Sequence, residues 1–77
     1  MKQYTRKDLN ESIEAAEEYR KEYHDNMDDV VMRDERYRYW DGACNKMMEV
    51  MNGFSKAGNQ LTADEARRAR IAMGGPA

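Results

Sequence analysis

Apolar residues recur along this chain at steps of three and four. Leu9, Ile13, Ala16, Tyr19 or Arg20, Tyr23, Met27 and Val30 form the first series. That spacing, close to a heptad, predicts an amphipathic helix with one buried stripe. Its other side carries Glu14, Glu17, Glu18, Lys21, Glu22 and Asp25, with Glu17 and Lys21 placed as an i,i+4 pair. Thr5, followed three residues later by Asp8, marks the start, because a hydroxyl and an acid satisfy the orphan N–H groups of a first turn. The predicted helix runs over about 6–24.

A second series runs Val30, Tyr37, Trp40, Cys44, Met47, Met51, Phe54, widened by Ala43, Met48 and Val50. It predicts a long central helix over about 28–57. Asp29 with Arg33 and Asp34 with Arg38 are i,i+4 pairs on its surface. Lys56 suits the negative end of the dipole and Gly58 the residue just past the end. Gly42 inside the pattern costs up to about 1 kcal/mol against Ala, so it is read as a close helix–helix approach or a slight kink. Between the two series, Asp25, Asn26 and Asp28 are possible caps, and a break is expected there. No Gly or Pro interrupts the chain from Met1 to Asp41, so one continuous helix is the alternative.

The third element opens on a capping box, Thr62 to Glu65, with Leu61 and Ala66 placed as a hydrophobic staple. It is expected over about 63–73 and is stopped by Gly74-Gly75-Pro76. Its apolar side is thin, and Asp64 is placed to pair with Arg68. Short connections predict antiparallel neighbours. The fold class is therefore all-α, a small three-helix domain with a long central helix, spanning 1–77.

Composition adds a difficulty to this picture. In 77 residues the strong aliphatics and Phe number only eight, and seven Met, one Trp and five Tyr supply the remaining bulk. A chain this short buries a modest core, and such chains are commonly completed by disulfides, a metal or association. Cys44 is the sole cysteine and His24 the sole histidine, so neither an internal disulfide nor a Cys/His metal site is expected. Association remains. Apolar positions lie around too much of the central helix for one neighbour to cover, and methionines make adaptable contacts. A homo-oligomer, dimer or higher, is expected, with Trp40, Met47, Met48, Met51 and Phe54 as the self-association set.

Charge is balanced overall, at −2, but uneven along the chain: residues 1–34 hold ten acids and six bases, residues 35–77 five acids and seven bases. A lone cysteine on an apolar stripe fits a reducing compartment. The start, MKQYTRKDLN, has no apolar leader, and no stretch approaches the roughly 18 apolar residues of a membrane span. A soluble, cytoplasmic protein with no membrane partner is expected.

Catalytic patterns find little support. Ser12 and His24 fall roughly 18 Å apart on one continuous helix; Ser55 and Cys44 belong to another. A di-iron bundle wants Glu three residues before His, where this chain has Lys21. Residues 25–35 lack the glycine and acid of a calcium loop, and no Gly-rich phosphate loop is present. No catalysis, metal or cofactor is expected.

Two surfaces remain. The segment 33–40, RDERYRYW, mixes arginine with tyrosine and tryptophan, residue types that anchor protein interfaces and also stack on bases. Arg67, Arg68 and Arg70 make a small basic patch. A pI near 5.4 weighs against nucleic acid, which usually meets a strongly basic domain. The expected partner-binding residues are Arg36, Arg38, Tyr39, Arg67 and Arg70, and the expected partner is a protein. The expected function is a non-catalytic helical interaction protein, similar in build to accessory proteins of phages and other mobile elements that inhibit or regulate a host protein. The alternative is a nucleotide or nucleic-acid binder using segment 33–40 and the C-terminal arginines.

Overall fold

The computed structural model describes residues 3–75, all outside its helices being turns and short connections. Three helices follow one another: α1, Arg6–Asp25; α2, Val30–Lys56; and α3, Ala63–Ala72. Their ends are set by local chemistry. Thr5 and Asp8 form a reciprocal capping box, the Asp8 N–H donating to Thr5 Oγ1 and the Thr5 N–H to Asp8 Oδ2. Thr62 and Glu65 repeat the device at α3. α2 and α3 end alike. Gly58 and Gly74 both take φ +90°, and the amides that follow reach back, Asn59 N–H to the Phe54 carbonyl and Gly75 N–H to that of Arg70. This is the Schellman closure, which a residue with a Cβ adopts only with strain.

The chain does break between α1 and α2. Asn26 to Asp28 form turns, and the cap of α2 is Asp29, whose carboxylate accepts from the Met32 N–H at 3.1 Å. The residues weighed from sequence, Asp25, Asn26 and Asp28, lie just upstream of it. Asp29 succeeds because it has extended backbone with its oxygen over the third helical amide.

α1 and α2 pack along their lengths as a hairpin, and α3 lies against one end of it. The core holds Tyr4, Leu9, Ile13, Ala16, Met47, Val50, Phe54, Ala69 and Ala72, with Ala43, Cys44, Met51 and Leu61 packed on its edge. All of these come from α1 up to Ala16 with the segment before it, α2 from Ala43 onward, and α3 with the residue leading into it. Length explains the asymmetry. Ten residues of α3 span about 15 Å, whereas the twenty-seven of α2 span about 40 Å. Beyond Met73 the hairpin continues as two helices with no third.

Two glycines of α2 reverse the expectation. A Cβ at Gly42 would meet nothing within 4 Å, so no close approach occurs there. At Gly53 a Cβ would fall 2.6 Å from the Tyr4 ring. Tyr4, ahead of α1, lies flat on that glycine and donates its hydroxyl to Glu49 at 3.2 Å.

Candidate functional site

A polar ladder fixes α3 against α1, and so decides which surface stays bare. Glu65 is buried at 5 % exposure. It accepts from Arg6 and from Asn10 Nδ2. Arg68 forks onto both Glu17 oxygens, at 2.8 and 3.4 Å, and donates to Asn10. Burial by itself would raise the Glu65 pKa; the Thr62 amide, Arg6 and Asn10 outweigh it and hold the carboxyl at about 2. Glu17 is thus the partner of Arg68, while Asp64 takes Arg67 at 2.7 Å. The pairing expected from sequence is exchanged because Arg68 lies on the side of α3 that faces α1.

At its far end α3 meets α2 through Trp40. The indole Nε1–H donates to the Ala72 carbonyl at 2.8 Å, and the Cys44 thiol points at the same oxygen. Burial pushes the Cys44 pKa up and Asp41 adds to this, so the sulfur is a protonated thiol at neutral pH and a poor nucleophile. Ser12 is buried with its hydroxyl donating to the Leu9 carbonyl at 2.7 Å. No group of three His, Cys, Asp or Glu that could hold a metal ion occurs among the described residues. No helix among them is long and apolar enough to cross a membrane.

Past Trp40 the hairpin is aromatic. Tyr23 stacks on Trp40 with centroids 5.3 Å apart, Tyr37 meets both rings edge-on, and His24 packs near by. These contacts hold the two helices together but leave much of the group in solvent. Tyr37 is 51 % exposed, Val30 60 %, Met48 46 % and Met73 39 %. Positions 30, 37, 44, 48 and 51 fall within about 60° of arc at 100° per residue, so they form one stripe along α2. Tyr37, Trp40, Cys44, Met48 and Met73 line a shallow cleft of about 240 Å³ in its middle, edged by Asp41 and Asn45.

The partner-binding residues expected from sequence divide between two places. Tyr39 is half exposed and stacks on Tyr19 of α1 at 5.9 Å. The Arg36 guanidinium sits 5.7 Å from its ring centroid and 3.8 Å from Glu35. Arg38 and Tyr39 join Tyr19, Ala15, Ser12, Gly42, Ala43 and Lys46 around an open α1–α2 groove. Arg67 and Arg70 are exposed on α3. The α1 residues that meet α3 and those that line the groove lie on roughly opposite sides of that helix at 100° per residue, so the two arginine sets do not converge. Nor is there one basic patch, since Arg68 is turned inward onto Glu17.

The self-association set also divides. Met47 and Phe54 are 0 % and 3 % exposed; they belong to the chain's own core because α1 and α3 close over that half of α2. Met48 is exposed, and Trp40 and Met51 are half-buried at the edge of the stripe. Sequence reasoning left out Val30, Tyr37 and Met73 from this surface. The signal for the first two was present, since Val30, Tyr37, Cys44 and Met51 recur every seven residues. Met73 reaches the stripe only because α3 docks where it does.

No family model matches the chain, and neither a curated protein nor a solved structure matches it.

Proposed function

We propose that this protein is a non-catalytic helical interaction module that docks another polypeptide on the outer stripe of α2. The observation that carries the reading is the end of α3 beside Trp40, which leaves Val30, Tyr37, Met48 and Met73 exposed on one face. Large exposed apolar side chains that are contiguous and rimmed by polar residues mark interaction surfaces. Tyr and Trp with flexible Met are the residue types that anchor them. The groove on the other side, with Arg38 and Tyr39, is a second and more polar contact surface.

The test is a photo-crosslinking amino acid placed at position 37, with position 14 on the exposed side of α1 as control, in cells making the protein. A discrete adduct from position 37 and none from position 14 is expected. Equal, diffuse labelling from both positions removes the reading.

The nucleotide reading has less support in the geometry. The Tyr39 ring already stacks on Tyr19 and carries Arg36 near its face, so a base would have to displace one of them. It predicts binding that weakens steeply with salt and is lost in Tyr39→Ala.

A further inference from the structure

The stripe on α2 is self-complementary when its direction is reversed, and from this we infer that its occupant is a second copy of the same chain, packed antiparallel about a two-fold axis at Cys44. The inference rests on the docking reading above and names its partner. In a two-fold interface, residue i meets j and j meets i. Tyr37 and Met51 lie seven residues to either side of Cys44, and Trp40 and Met48 four to either side. Reversal therefore sets the aromatic half of one α2 on the methionine half of the other, twice over. Sulfur against an aromatic edge is a favourable contact, and the seven-residue repeat is that of a helical seam.

The charges along the solvent edge of the stripe reverse equally well. From N to C this edge reads Asp34, Asp41, Asn45, Lys56. Laid antiparallel about Cys44, Asp34 comes beside Lys56 of the other copy and Asp41 beside Asn45, and each pairing occurs twice. A parallel pair in register turns this edge toward the opposite edge of the other copy, so these pairings do not form. A second copy also meets a physical need. The chain has one free cysteine and a core confined to one end, and association is the remaining common way to complete so small a fold.

Sedimentation equilibrium from micromolar to millimolar concentration tests this. The wild type is expected to approach twice its 9.0 kDa mass. Tyr37→Glu and Met48→Glu, at half-exposed positions, are expected to stay monomeric with unchanged helical circular dichroism. Val31→Glu is the control: Val31 is 75 % exposed but lies about 120° round the helix from Tyr37, and its dimer should persist. Asp34→Lys should weaken the dimer by about tenfold, as two exposed ion pairs warrant, and Asp34→Lys with Lys56→Glu should recover it. A wild type that is monomeric throughout overturns the second-copy assignment, and so does a dimer that Val31→Glu dissociates as readily as Tyr37→Glu. If the chain is monomeric while position 37 still crosslinks to another polypeptide, the docking reading survives and only the identity of the occupant is wrong.

Discussion

The two ends of the α1–α2 hairpin are built from the same two helices and are stabilised in different ways. At the base, where α3 docks, Leu9, Ile13, Ala16 and Met47 are fully buried, and the buried carboxylate Glu65 is answered by Arg6, Asn10 and its own cap. At the tip, no residue between Tyr19 and Trp40 is buried. Rings touch rings there, and the buried Arg20 Nε has no hydrogen-bond partner. A third helix is what converts an amphipathic pair into a core. Where it stops, the same apolar periodicity becomes a surface.

Truncation separates the two ends most sharply. Phe54→Ala at the base should cost about 3–5 kcal/mol, as for other buried phenylalanines, enough to unfold much of so small a chain. Tyr37→Ala at the tip should cost under about 1 kcal/mol in the isolated chain, because half its surface already faces water. Urea melts followed by circular dichroism compare them. A loss at Tyr37 equal to that at Phe54 breaks the distinction.

The polar ladder comes next. Glu65→Ala takes one acceptor from Arg6 and one from Asn10, which keep the carbonyls of Gln60 and Arg6, and removes a cap, with an expected loss of about 2–3 kcal/mol. α3 should loosen first, and Trp40 fluorescence reports it through the bond from its indole to Ala72. The same carboxylate gives a pH dependence. Its folded pKa, about 2, lies below its ordinary 4.5, so the unfolded chain takes up the proton first. The stabilisation is fully present above about pH 4.5 and is lost as pH falls through 2. Acid titration of the Trp40 signal should show that loss in wild type and a smaller one in Glu65→Gln.

The smallest effects are the most diagnostic, because they should differ in sign within one helix. Gly53→Ala drives a methyl into the Tyr4 ring; overpacking should outweigh the helix gain, for a net loss of about 1 kcal/mol. Gly42→Ala enters open space and should stabilise by about 0.5–1 kcal/mol. Thermal melts of the two variants check this, and a shift in the same direction for both contradicts the assigned packing.

Much of the fold was legible because helix ends are local. Thr5 with Asp8, Thr62 with Glu65, and the glycines at 58 and 74 act within one turn of themselves, so their residue types suffice. The candidate site was less legible for the opposite reason. α2 is apolar on more than one side, and its periodicity does not say which side a short α3 will cover. Met47 and Phe54 carry the same signal as Tyr37 and Met48, yet the first two are core and the last two are surface.

The sequence by itself determined where α1 starts, where α2 ends and both ends of α3, and that α2 has more apolar surface than a single neighbour hides. Tertiary structure alone decided that Arg68 answers Glu17, that Tyr4 rests on Gly53 while Gly42 stays open, and that α3 ends at Trp40. Caps and glycines work through bonds between neighbours in the chain. Coverage depends on contacts between residues tens of positions apart, set by how far one helix reaches along another.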